Sequence, residues 1–169
     1  MFVDKYKLTS QNEFLKPKFS AFTKAEPWTK MKSGQYSSGL ITVVDEGFDD
    51  SFLRSWSWLI KDKPLLLATT AWGDFIYACG REKKFFIVLV DQFRKFALGN
   101  SLSAVFDKNV ASPDFMLQIL RLNEFDKAMK VVGELEYGEC YAIEHKSNLL
   151  RKKNISIFLD VLGQTGRQL

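Results

Sequence analysis

The 169-residue chain predicts an α+β fold, an antiparallel β-meander sheet packed with several short α-helices. Three observations carry that expectation. Residues 64–91, PLLLATTAWGDFIYACGREKKFFIVLVD, hold three β-prone runs, Leu65–Thr70, Phe75–Cys79 and Phe85–Val90, separated by brief polar turns. The sequence downstream turns to helical spacing with helix caps. Strand and helix do not alternate in the rhythm that builds parallel βαβ units. Within the meander, Ala71-Trp72-Gly73-Asp74 supplies the Gly and Asp of one tight reversal, and Gly80 to Lys84 the next. The last run places Phe85, Ile87 and Leu89 on one face and Phe86, Val88 and Val90 on the other. Both faces of the sheet must therefore be covered.

The other elements follow in order. Tyr6, Leu8, Phe14, Leu15, Phe19 and Phe22 are apolar anchors scattered among lysines, and the spacing predicts a short helix around Gln11–Leu15 that Pro17 ends. Pro27-Trp28, Lys32-Ser33-Gly34 and Ser37-Ser38-Gly39 read as loop, so residues 1–38 are expected to form an N-terminal extension ahead of a single α+β domain over 39–169. Leu40–Val44 reads as a strand closed by Asp45-Glu46-Gly47. Phe52, Trp56, Leu59 and Ile60 then recur at helical spacing. Asp49 and Asp50 stand at the N-terminus of that helix and Lys61 and Lys63 at its C-terminus, the ends where each sign is favoured, and Pro64 stops it.

Gln92–Asn100 reads as a short helix or loop ending at Gly99. Ser101 caps a helix carrying Leu102, Val105 and Phe106, and Ser112-Pro113 opens the next. Asn123 opens another, whose Phe125, Ala128, Met129 and Val132 share one face and which Gly133 ends. Glu136–Ile143 reads as a strand, and Ile155, Phe158, Leu159 and Leu162 as a last amphipathic helix ending near Gly163.

Composition narrows the function classes. A content of 46% hydrophobic and 26% charged residues is that of a soluble globular protein. The longest apolar run is a strand's length, so no membrane contact is expected, and Met1–Ser20 is too charged for an export leader. Cys79 and Cys140 lie far apart in apolar patterns and read as buried, reduced thiols of a cytoplasmic protein. The net charge of +4 is unevenly spread: residues 45–50, DEGFDD, hold four acids and no base.

No catalytic constellation is expected. His145, the sole histidine, sits beside Glu144 and a few residues after Cys140, but this spacing fits no local nucleophile signature. A hydrolase built on His145 and Cys140 serves as a control reading. One His and two distant Cys are too few for a closed zinc shell, and Asp45, Glu46, Asp49 and Asp50 lack the spacing and terminal bidentate Glu of a calcium loop. No metal and no other cofactor is therefore expected. Arg151-Lys152-Lys153 and the lysine-rich N-terminus lack interleaved aromatics, so direct nucleic-acid binding is not expected either. A turn and a helix cap account for Asp49 and Asp50 but leave Asp45 and Glu46 as surplus charge, which suits an exposed acidic knob facing a basic partner. Trp58 points off the apolar stripe and reads either as a second packing surface or as a partner anchor. The candidate partner-binding residues are thus Asp45, Glu46, Asp49, Asp50 and Trp58.

The same stretch carries a resemblance. An apolar strand, Thr70-Ala71-Trp72-Gly73-Asp74, an aromatic strand, a charged turn and a further apolar strand follow one another. Ser101-Leu102-Ser103 before Phe106, Phe125-Asp126-Lys127-Ala128 before Gly133-Glu134-Leu135, and Gly138-Glu139-Cys140-Tyr141-Ala142 continue the pattern. Together they resemble the C-terminal domain family of type VI secretion DNase immunity proteins. Ser38 to Asp45 and the helix to Trp58 are similar to the end of the GAD-like domain that precedes it in that family, so residues 1–38 would be a remnant of that region and 39–169 an immunity-like domain. The likeness covers roughly residues 39–142. It implies a non-enzymatic cytoplasmic protein that binds and neutralises a cognate secreted bacterial toxin, nucleases being among the toxins implied. The alternative is a general protein-interaction or regulatory domain without a toxin partner. The Thr70–Asp74 block is expected to be scaffold, with specificity in the acidic loop, the N-terminal segment and residues 144–154; oligomeric state stays open.

Overall fold

In the computed structural model the described residues are 1–11, 15–21, 28, 31–61, 63–80, 84–144 and 147–168. Seven strands form one antiparallel sheet in chain order: β1 Leu8–Gln11, β2 Gly34–Tyr36, β3 Ile41–Val43, β4 Pro64–Thr70, β5 Phe75–Cys79, β6 Lys84–Leu89 and β7 Arg94–Gly99. A separate hairpin pairs β8, Glu139–Glu144, with β9, Leu149–Asn154. Short helices surround the sheet: α1 Phe2–Lys5, α2 Pro113–Gln118, α3 Leu122–Val132 and α4 Ile155–Gly166. Among the described residues, the 3₁₀ turns Lys18–Ala21 and Ser51–Arg54 and a π-helical stretch, Ala104–Val110, lie beside these helices. The fold is α+β.

Strand alternation builds two cores, one on each face of the sheet. Phe85, Ile87 and Leu89 join Ile41, Val43, Ile76 and Ala78 against Phe2, Tyr6, Phe106 and Phe125. Val88 and Val90 join Phe75 and Tyr77 on the opposite face against Phe48, Phe52, Trp56, Ile155 and Leu159. A register shift between Leu66 and Ala68 turns the consecutive residues Leu67 and Ala68 toward the first core, as a bulge permits. Among the described residues every buried side-chain nitrogen and oxygen has a hydrogen-bond partner.

The Thr70–Asp74 block is the knot of this scaffold. Gly73 adopts a φ of 86°, which closes the β4–β5 turn; its N–H donates to the Thr70 carbonyl at 3.0 Å, and the Trp72 N–H to the Thr70 hydroxyl at 3.2 Å. The Trp72 indole N–H donates to the Leu120 carbonyl at 2.8 Å, and Ala71 receives the Tyr141 N–H at 2.7 Å, which ties β8 to the main sheet. Asp74, 2% exposed, accepts the Val90 N–H at 2.9 Å. The Arg121 guanidinium lies over the Trp72 ring, 4.5 Å from its centroid, with Asp74 and Asp91 each 3.8 Å away.

Several sequence expectations change. The boundary at residue 38 falls in the turn between β2 and β3, and strands from both sides of it pair in one sheet. Phe2, Tyr6, Phe19, Trp28 and Met31 are buried in the first core, so the described parts of residues 1–38 fold onto it. Gln11 ends β1 instead of opening a helix, because Ser10 and Gln11 pair with Gln35 and Gly34. Residues 92–100 hold β7, since Phe93, at a φ of 52°, reverses the chain at once and brings Arg94–Ala97 beside β6. The expected helix over 48–60 shortens to Ser51–Arg54 followed by turns, and Asp50 stands at its N-cap without a side-chain capping bond. Residues 149–154 form β9, and α4 continues past Gly163 to Gly166. The helix starts at Ser112 and the stop at Gly133 stand as read, with Ser112 accepting the Phe115 N–H at 3.3 Å. Phe14, Phe22, Pro27, the 81–83 turn and His145 lie outside the described residues.

Candidate functional site

Residues 44–61 lead from β3 toward β4 across the second face of the sheet. Phe52 and Trp56 are fully buried there, and the Trp56 indole N–H donates to the Leu159 carbonyl at 2.8 Å, which fixes the segment against α4. Because the inward side chains take all the apolar contact, the polar ones are left along the outer edge. Beside them lies an open groove of about 690 Å³. Its floor is apolar, from the largely buried Phe48, Leu53 and Ile60, with Pro64 at one side. Its rim is charged, from Asp49 and Asp50 and from Arg54, Lys61 and Lys63.

The five sequence-derived candidates do not gather into one patch. Asp45 is 1% exposed, where an exposed acidic knob was expected. The Tyr137 hydroxyl donates to its Oδ2 at 2.8 Å and the Gly47 N–H to its Oδ1 at 2.9 Å. The Asp45 N–H in turn donates to the Tyr137 oxygen at 3.2 Å. Burial, together with the neighbouring Asp45 carboxylate, pushes the Tyr137 phenol well above its ordinary value, so it stays a hydrogen-bond donor. Asp45 is a clip between the loop and the segment before β8.

Glu46 is exposed, and its N–H donates to the Lys16 carbonyl at 3.2 Å. Asp49 is exposed on the groove rim; the Ser51 N–H, donating at 3.0 Å, is the main cause that holds its carboxyl below the usual range. Asp50 also lines the groove, but Lys18 reaches it at 2.6 Å while donating to the Phe48 carbonyl at 3.0 Å. Trp58 is half-buried: its indole N–H donates to the Gly163 carbonyl at 2.9 Å, and its ring stacks on Trp56 at 5.9 Å. Of the two readings open for Trp58, the second packing surface describes these contacts.

The residues that sequence reasoning did not assign to the site are Arg54, Lys61 and Lys63. The only local signal was the helix-end position of the two lysines. All three are exposed, and none has a carboxylate within ion-pair distance among the described residues.

The control reading loses its nucleophile. Cys140 is fully buried, and burial above all, with Glu139 and Asp74 adding to it, pushes the thiol up to about 12. Burial thus favours the protonated thiol, the form that is not the nucleophile. Among the described residues, no three His, Cys, Asp or Glu side chains are grouped to hold a metal, and no helix is long and apolar enough to cross a membrane.

The chain is thus an α+β protein, an antiparallel meander that carries a charge-rimmed surface groove. No protein-family model matches the chain, and no curated protein matches it in sequence. Its structure is similar to the crystal structure of Atu4351 from Agrobacterium tumefaciens, with a TM-score of 0.66 over 96% of this chain and 86% of that one, at 15% sequence identity. At that identity the likeness is one of fold.

Proposed function

We propose that the chain is a non-enzymatic, cytoplasmic immunity-type protein that binds a cognate secreted bacterial toxin and blocks its active site or an essential surface. The observation that carries the reading is the sequence resemblance centred on Thr70–Asp74. That block is the turn where β4 passes into β5, bonded to Leu40 ahead of β3, to Val90 just past β6, to β8 and to Leu120 between α2 and α3. A family likeness concentrated in such a turn is a likeness of scaffold, and it leaves the rim of the groove free to vary with the partner. The groove offers a concave, largely polar surface with Phe48, Leu53 and Ile60 in its lining, where a segment of a protein partner could sit.

The test is co-expression of the neighbouring gene product with and without this chain, scored for growth and for co-purification. The expected result is growth arrest by the neighbour alone, rescue by this chain, and a complex of the two. A neighbour that is harmless, or one whose toxicity persists without any complex, overturns the toxin reading and leaves a general interaction domain.

A further inference from the structure

We infer that the groove beside residues 48–64 receives an extended, acidic peptide segment of a protein partner. This deepens the proposed function by naming the surface and the chemistry of what it takes, and it rests on reading the chain as a protein-binding module.

Charge decides the polarity. Asp50 is neutralised by Lys18 at 2.6 Å, and one Asp49 oxygen is already engaged by the Ser51 N–H. On the same rim Arg54, Lys61 and Lys63 are exposed and without a carboxylate partner among the described residues. Asp62, which stands between the lysines in sequence, lies outside the described residues. Counting Asp49 against the three cations of the lining leaves the described rim positive. An anionic occupant would supply the missing counter-charges, and the exposed position keeps the attraction salt-sensitive. The polarity is the reverse of the one that four acids in DEGFDD suggest, because Asp45 is buried and Asp50 is paired.

The floor decides between a peptide and a nucleic acid. Single-stranded nucleic acid is held by bases stacked on open aromatic faces. Phe48, the aromatic ring of the floor, is 7% exposed and packs edge-on against Tyr137 at 5.7 Å, so it presents no such face. Phe48, Leu53 and Ile60 offer instead a narrow apolar strip, the surface on which an aliphatic or aromatic side chain of a peptide sits while its acidic neighbours reach the cations.

The probe is a phage-displayed library of random linear peptides, panned on the intact chain, followed by fluorescence anisotropy of the selected peptides. Selected sequences should be rich in Asp and Glu around at least one large apolar residue. Binding should weaken with added salt and fall about ten-fold or more in R54E/K61E/K63E, whose circular dichroism should match the parent's because all three positions are exposed. Recovery of no acidic peptides, equal binding by the charge-reversed variant, or displacement by a short poly-dT oligonucleotide at similar concentration overturns the inference. Co-purification of the neighbouring gene product with R54E/K61E/K63E separates the two claims. An undiminished complex keeps the toxin reading and removes the groove; acidic-peptide binding without any toxin complex does the reverse.

Discussion

Replacing Asp74 with Asn removes one carboxylate from the centre of the scaffold and, with it, a pH dependence of stability. The side chain is 2% exposed, and its burial pushes the carboxyl from 3.8 up to about 6, against the opposing pull of the Val90 N–H and Arg121. A folded-state value above the unfolded one means that the native state binds the proton more tightly. Stability from this group is therefore fully present below about pH 4 and is lost as pH rises through about 6. A displacement of about two pH units corresponds to about 3 kcal/mol. Asn keeps an oxygen to accept the Val90 N–H, held at 2.9 Å in the parent, but does not titrate. Urea unfolding of both proteins from about pH 4 to about pH 7 reads the difference directly, since every other group titrates in both. Asp74→Asn should gain up to about 3 kcal/mol on the parent across that range, roughly 6–12 °C in Tm for a domain of this size. A constant difference would show that Asp74 keeps an ordinary carboxylate environment. A difference of opposite sign would show that the Arg121 pair, at 3.8 Å, outweighs burial.

Two further outcomes follow from buried polar groups. Tyr137→Phe takes the 2.8 Å hydroxyl donor from the buried Asp45 carboxylate and should cost about 1–3 kcal/mol in urea unfolding at neutral pH; an unchanged midpoint would contradict the clip described for that pair. Cys79 and Cys140, both buried, should resist a thiol reagent in the native protein at about pH 8 and both react once it is unfolded, so rapid native labelling would contradict the packing of the second core.

Strands β4 to β6 were legible because each side chain of FFIVLV and its neighbours has a core to enter, so apolar content is continuous over the whole run. Strand β7 was not, because it is the sheet edge: Phe96 is 45% exposed and the run RKFA carries no alternation to read. Strand β9, LLRKKN, is stabilised across its hairpin by pairs such as Lys152–Glu139 at 3.5 Å, and such charges look like a solvated loop in sequence. Strands β1 and β2 span four and three residues, too short for a period to declare itself. The acidic loop shows a different limit. Asp45 and Asp50 are five positions apart, yet the first is buried by Tyr137, 92 positions away, and the second is paired by Lys18, 32 positions away. Partners at such separations leave no local trace, so neither the burial of Asp45, expected in an exposed acidic knob, nor the cationic rim of the groove is legible in the sequence.

The strict succession of strands, each pairing with the one made just before it, has a bearing on how the molecule comes into being. Every new strand of the main sheet finds its partner already present, and the closing loops between β3 and β7 are mostly short, so little chain entropy is spent per step. Assembly can thus keep pace with synthesis up to Gly99. Cover comes later on both faces: the first waits for Phe106 and Phe125, and Phe75, Tyr77 and Val88 on the second wait for Ile155 and Leu159, contributed by the last helix of the order. Until α4 arrives, a nascent chain carries a formed sheet with one aromatic flank incompletely shielded, an interval in which it is open to misassociation.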